Sequence, residues 1–345
     1  MWGANMLSHN GETFSTDQSC TQNDRKSIHL QNEGPLSSDS SFGGVFFAEK
    51  HSKRTLMLPG GKELPLVPPV VMGIINTTPD SFFPQSRKQQ IKEVVQFARE
   101  MVEEGASILD IGGESSRPGA KSISIEEELD RVIPAIEAIS KEIDVILSVD
   151  TRKSHVAEAA IKAGAQMIND ISAMQFDSRM IDFVCLNQLP IVVMHMQGEP
   201  ENMQDDPEYQ DVVSEIVQFF QQKIQLLQKK GLQRKRIILD PGIGFGKTVR
   251  NNLQIINHLE TFQSLGYPLM MGSSRKSFIG SVLGQKDPQE RLAGTLATTV
   301  LGVMKGVHIF RVHDVQENFD AIHMAFSIGK ETCDDVGFVK GGRKE

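Results

Sequence analysis

Cysteine, tryptophan and tyrosine are scarce in this chain, with three, one and two residues among 345. Cys20, Cys185 and Cys333 are odd in number and widely spaced. That excludes a disulfide framework and a zinc-ligand cluster and leaves reduced thiols. Cys185 lies in an apolar helical stretch and reads as core packing. Long hydrophobic runs are missing too. No stretch reaches the roughly 20 apolar residues of a membrane span. The N-terminus has no charged segment followed by an apolar one, so no secretory signal is expected. Positive charge is in deficit, 36 Lys and Arg against 44 Asp and Glu, for a net charge of −8. That balance disfavours non-specific nucleic-acid binding. What remains is a cytoplasmic globular protein with 39% apolar residues, enough for a sizeable core. Its expected partners are small molecules, not nucleic acid or membrane.

Glycine, by contrast, crowds into IILDPGIGFGKT at 237–248. Two phosphate-binding templates come close and fail. Gly246-Lys247-Thr248 could end a P-loop, but the place of that motif's first glycine holds Pro241. Gly242, Gly244 and Gly246 read G-x-G-x-G, one residue short of the dinucleotide fingerprint. Both motifs set backbone N–H groups at fixed positions around phosphate, so one residue is decisive. The glycines call for another explanation.

Residues 1–54 are polar, lack apolar periodicity and are expected to form a disordered tail, and 331–345 a C-terminal tail. TLMLPGGKELPLVPPV (55–70) reads as a short β-hairpin around Gly60-Gly61. From Val70 on, short apolar runs alternate with amphipathic stretches. The runs are VVMGII (70–75), SILDI (107–111), VILSV (145–149), QMIN (166–169), IVVM (191–194), RIILD (236–240), PLMMG (268–272) and VHIF (307–310). Helical patterns between them end at Gly105, Gly164 and Gly231, where left-handed caps are expected. The last helix starts near Val315. Eight strand–helix alternations over 55–330 match a single-domain (β/α)₈ TIM barrel in count and size. Near-continuous apolar runs fit strands buried on both faces. A doubly wound sheet is the alternative, which the count of eight disfavours.

Barrel active sites lie at the C-terminal ends of the strands. In order, those ends carry Asn76; Glu114 to Arg117; Asp150; Asn169-Asp170; His195; Asp240; Ser273 to Lys276; and Arg311 with His313. Singly, each reads as a cap or turn former, and Asp80 and Asp170 fit that description. Arg152 and Lys153 read as solvating the start of a helix, and His195 as a hydrogen-bonded wall residue. As a set they converge on one mouth. Asp150, Asn169 and Asp240 suit a flat heterocycle with adjacent N–H donors, such as an aminopyrimidinone. Asn76, Arg311 and His313, from the first and last runs, read as an anion site with an amide and two groups able to carry positive charge, and Arg275 and Lys276 add charge. Mg²⁺ shared with a polyphosphate fits this anion site, because the ion prefers few protein ligands plus substrate oxygens. H-E-x-x-H is absent, and no covalent nucleophile with its base is evident.

Several blocks now combine. VMGIINTTPDSF (71–82), GASILDIGGESSRPGA (105–120), SVDTRK (148–153), IND (168–170), MHMQG (194–198), LDPGIGFGKT (239–248), SSRKSFIG (273–280) and RVHDV (311–315) resemble, in the same order, the segments of dihydropteroate synthases. The resemblance covers residues 55–330 and implies a (β/α)₈ barrel, a homodimer and a sulfonamide target. It implies the condensation of 6-hydroxymethyl-7,8-dihydropterin pyrophosphate with p-aminobenzoate, with Mg²⁺, in folate synthesis. Carried over residue by residue, Asp150, Asn169, Met194, Asp240, Gly244, Lys276 and Arg311 hold the pterin. Asn76, Arg117, Arg311 and His313 hold the pyrophosphate, with Asn76 also on the metal. Ser116, Arg117, Pro118, Phe245, Ser274 and Lys276 shape the p-aminobenzoate side. Catalysis rests on Asn76, Asp150, Asp240, Lys276, Arg311 and His313.

Two departures stand out. Where the family often has Asp-Gly-Gly after TPDSF, this chain has Phe83-Pro84-Gln85-Ser86-Arg87, and Ser116 replaces a common threonine. The rival readings are a pterin-dependent methyltransferase on the same barrel and an inactive barrel used as a scaffold. The first does not need Ser274-Arg275-Lys276 or Arg311-x-His313 to hold a pyrophosphate; the second is disfavoured by the presence of Asp240, Lys276 and Arg311.

Overall fold

The computed structural model describes residues 54–78 and 87–331. Residues 1–53 and 332–345 of the expected tails, Asp80, and 83–86 of the unusual segment after TPDSF lie outside these residues. A short antiparallel hairpin, β1 (Thr55–Met57) and β2 (Glu63–Pro65), turns through Pro59–Gly61 as expected. The eight apolar runs become β3 (Val70–Asn76), β4 (Ala106–Gly112), β5 (Ile146–Asp150), β6 (Met167–Asp170), β7 (Ile191–Met194), β8 (Ile237–Asp240), β9 (Met270–Met271) and β10 (Ile309–Val312). They pair in parallel from β8 down to β3, then β10 and β9. A parallel bridge between Leu239 and Leu269 joins the two ends and closes the barrel.

Helices lie between the strands: α1 (Arg87–Glu103), α2 (Ile125–Glu142), α3 (Ser154–Ala163), α4 (Arg179–Asn187), α5 (Val212–Lys229), α6 (Val249–Asn257), α7 (Leu259–Gln263), α8 (Ser277–Leu283), α9 (Leu292–Met304) and α10 (Val315–Lys330). Their starts are written locally. Ser124 accepts from Glu127 N, and Asp211 from Val213 N and Ser214 N. Thr248 and Asn251 form a reciprocal capping box, which satisfies orphan backbone donors of the first turn. Gly105, Gly164 and Gly231 all take positive φ behind their helices.

The inside of the barrel is built in layers two residues apart along each strand, because side chains alternate in direction. One layer takes a single apolar residue from every strand: Met72, Ile108, Ile146, Met167, Val192, Ile238, Met270 and Ile309. Leu56, Leu58 and Leu66 of the hairpin region seal it from below. Each such side chain contributes about 1.5–3 kcal/mol by leaving water. The alternate residues, such as Leu109, Val149, Val193 and Leu239, face the helices and form the outer core, where Cys185 is also packed. Two residues beyond the sealed layer the strands present Ile74, Asp110, Ser148, Asn169, Met194, Asp240, Gly272 and Arg311. The same alternation that builds the plug therefore lifts polar groups into the mouth.

Candidate active site

The polar layer is tied across the barrel by Arg311. Its Nε donates to Asp110 Oδ2 at 2.7 Å and its Nη2 to Asp150 Oδ2 at 2.8 Å. Asp110 Oδ2 also accepts from Asn169 Nδ2 at 2.8 Å. Four strands, β4, β5, β6 and β10, thus meet in one network. Because Asp110 takes the amide NH₂, the Asn169 oxygen is left buried with no partner among the described residues. Burial pushes the Asp150 carboxyl up to about 7, with Arg311 opposing and Asp110 reinforcing the shift. Burial also works against the Arg311 charge, but Asp110 and Asp150 outweigh it and raise its pKa.

Asp240, at the end of β8, is buried and accepts from Gly242 N at 2.8 Å. Burial raises its pKa, while the Gly242 bond and Lys276 pull it down. Lys276 stands over the Phe245 ring, its Nζ 4.0 Å from the centroid. Burial and then Arg311 lower the Lys276 amine to about 8, against the pull of Asp240 and Asp150. Phe245 packs with Ile171, Met194 and Met203. Gly244 lies against Lys276, and its carbonyl accepts from Gln204 Nε2 at 2.7 Å.

Ser274 and His313, assigned to different substrates by sequence, touch each other. Ser274 Oγ accepts from His313 N at 3.2 Å and lies 3.0 Å from His313 Nδ1. Burial, then Arg311 and Arg275, lowers His313 to about 4. Burial and the neighbouring guanidiniums thus hold His313 toward its neutral form, which leaves Arg311 as the standing cation of the pair. The expectation for Arg275 is corrected, since its guanidinium is paired with Asp314.

Arg152 and Lys153 do not solvate a helix start. Both are about 5% exposed and meet Glu114 Oε2 at 3.3 and 3.2 Å, and Lys153 also bonds Glu128. Glu114 in turn accepts from Ile123 N, which folds the loop that carries Ser116, Arg117 and Pro118. Ser116 lines a small pocket with Asp150 and Arg152. Arg117 and Pro118 are exposed and Asn76 is half-buried, and none of the three joins the Arg311 network. Asp170 is the expected turn former, accepting from Ser172 N and Met174 N.

Residues 72–313 match the model of a family described as pterin binding enzyme. A dihydropteroate synthase from Synechocystis sp. is 45% identical over 246 residues, covering 71% of this chain and 85% of the relative. The chain belongs to the dihydropteroate synthases. Solved dihydropteroate synthases share the fold. One from Xanthomonas albilineans, with 4-aminobenzoic acid, is 40% identical with a TM-score of 0.75, covering 80% of this chain and 98% of its own. One from Yersinia pestis, in a sulfonamide drug complex, is 41% identical with a TM-score of 0.75, covering 80% of this chain and all of its own.

For a dihydropteroate synthase reading, Asp110 is the residue that sequence reasoning passed over. A carboxylate interrupting the apolar run SILDI was the available signal. Glu128 was passed over, and Glu114 and Lys247 were given no partner, for a different reason: only the fold shows what they meet. The glycines of LDPGIGFGKT are explained by close approach. A Cβ on Gly242 would lie 2.0 Å from His195 O, and one on Gly246 would lie 2.3 Å from Gln197 O. Both also carry positive φ, so the loop lies against the β7 end and is no phosphate cradle.

Proposed function

We propose that the barrel mouth condenses 6-hydroxymethyl-7,8-dihydropterin pyrophosphate with p-aminobenzoate to 7,8-dihydropteroate and pyrophosphate, the reaction of the family in folate synthesis. The observation that carries this is the meeting at one barrel mouth of buried Asp110, Asn169 and Asp240 with half-buried Arg311, which also bonds Asp150. Asp150, Asp240 and the unpartnered Asn169 oxygen are acceptors suited to the pterin N–H groups. Arg311, Lys276 and Met194 border the same space. As pyrophosphate departs, positive charge develops on the pterin methylene; the electron-rich ring spreads it, and the nearby carboxylates favour it. Arg311, Arg117, Asn76 and His313 receive the leaving group. The arylamine attacks through its own lone pair, which needs no strong general base. Phe245, Ser116, Pro118 and Ser274 shape its site, and the Lys276 ammonium faces its carboxylate.

Among the described residues no group of three or more His, Cys, Asp or Glu could hold a metal by itself. The donor set fits Mg²⁺ only as a shared ion, with Asn76 as the protein ligand and diphosphate oxygens completing the shell. When bound, the ion neutralises charge on the leaving group. The test is a pyrophosphate-release assay with each substrate omitted in turn and with EDTA. Release is expected only with both substrates and Mg²⁺. Release without p-aminobenzoate contradicts the condensation, and full activity in EDTA contradicts the metal.

A homodimer is supported by α9. Its outward residues Ala293, Ala297, Val300, Leu301 and Met304 are exposed, and the helix carries no charge. Such an apolar stripe suits an isologous contact. Sedimentation of the purified chain tests it; a monomer at micromolar concentration contradicts it. Among the described residues no helix is long and apolar enough to cross a membrane. Residence in the cytoplasm is the matching proposal, checked by cell fractionation.

A further inference from the structure

Lys247 is the lysine that completes the failed P-loop, and the proposed reaction does not use it. It is 2% exposed. Its Nζ lies 2.9 Å from Phe245 O, 3.1 Å from His195 O and 3.2 Å from His195 Nδ1. An ammonium has three N–H donors, and these three acceptors match them one for one. The two carbonyls belong to different segments, one to the loop after β8 and one to the end of β7. Burial pushes the His195 ring down to about 3, so the ring is neutral and its Nδ1 can accept. The His195 ring is itself held edge-on to Phe219, with centroids 5.0 Å apart. Burial lowers the Lys247 amine to about 7, with Asp240 opposing. A neutral amine still has two N–H groups, one for each carbonyl, so the link between the segments survives loss of the proton.

The loop tied in this way carries Phe245, whose ring supports Lys276 on the other side. No other ammonium among the described residues bridges the loop after β8 to the end of β7. Gln204 Nε2 to Gly244 O, Tyr209 Oη to Gly246 O and the backbone bond from His195 N to Asp240 O also tie the two strand ends.

We propose that Lys247 is a positioning residue that fixes the Phe245 wall, and through it the p-aminobenzoate side of the site, by bridging Phe245 O to His195 O. This rests on the assignment of Phe245 to the p-aminobenzoate side. It predicts a split between the two substrates. Lys247→Met removes the donors and keeps most of the volume.

The experiment measures kcat and both KM values for Lys247→Met, Phe245→Ala and the double variant. Lys247→Met is expected to raise the KM for p-aminobenzoate about tenfold, with the KM for the pterin pyrophosphate within about threefold. The double variant is expected to match Phe245→Ala within about twofold, because both substitutions act through one wall. Equal rises in both KM values, or additive effects in the double variant, overturn the proposal. An unchanged p-aminobenzoate KM in Phe245→Ala overturns the wall assignment itself, which separates that failure from a failure of the strut. If Lys247→Met does not fold by circular dichroism, His195→Leu removes the ring acceptor alone. It is expected to raise the p-aminobenzoate KM in the same direction by about threefold. No change there, or loss of fold in both variants, overturns the proposal.

Discussion

The two inward layers of the barrel come from the same eight strands, two residues apart, yet they do opposite things. In the sealed layer all eight side chains are apolar and buried to 6% exposure or less. In the layer above, three carry charge and two more are polar: Asp110, Asp240, Arg311, Ser148 and Asn169. The lower layer stabilises by excluding water and is indifferent to direction. The upper layer holds charges that are tolerable only because each has a partner at hydrogen-bond distance. Stability and chemistry are thus separated by one step of the β pleat.

The sharpest test of that separation is Arg311→Ala. It leaves Asp110 and Asp150 buried without their cation, so activity should vanish and stability should fall by about 3–5 kcal/mol. Urea melts of the folded chain check the second part. A stable, active variant would show that the upper layer is not held by its charges. Next come Asp240→Asn and Lys276→Ala. Each should lower kcat/KM by about 10²–10³ while the melting temperature changes little, since each removes a charge at the site and no part of the plug. Near-normal turnover in either variant places the pterin elsewhere.

Ile238→Ala tests the lower layer. It should cost about 2–5 kcal/mol and leave kcat/KM close to the parent value below the melting transition. A large loss of kcat/KM in a folded variant would mean that the layers are coupled. The smallest effect concerns pH. Asp150 has its pKa raised to about 7, so its carboxylate is present above that pH and is lost as pH falls through it. Lys276 has its pKa lowered to about 8, so its ammonium is present below that pH and is lost as pH rises through it. The free enzyme's kcat/KM should therefore be bell-shaped, with its maximum between these values. A profile flat from about pH 6 to about pH 9.5 would break the link between the two groups and the reaction.

Much of this was legible in the chain. The hairpin, the eight strands and the start of the last helix at Val315 follow from apolar period and from glycine punctuation, which are local signals. The convergence of Asp150, Asn169, Asp240, Lys276 and Arg311 followed from one rule about barrel strand ends, combined with the family's ordered segments. What was not legible depended on approach between distant segments. Arg152 and Lys153 looked like solvated charges because Glu114 and Glu128 lie on other elements. Arg275 looked like a free cation because Asp314 is 39 residues away.

The two lysines divide the matter most clearly. By itself the sequence determined that LDPGIGFGKT and SSRK each bring one lysine to a strand end, because strand spacing is a local property of the chain. It determined as well that LDPGIGFGKT misses both phosphate-binding templates by one residue. Only the tertiary structure decided that Lys276 stands over the Phe245 ring among the site's charges, while Lys247 is turned into three protein acceptors. The physical reason is that a buried ammonium goes where its donors are satisfied, and the acceptors that satisfy Lys247 are furnished partly by His195, 52 residues away just past the end of β7.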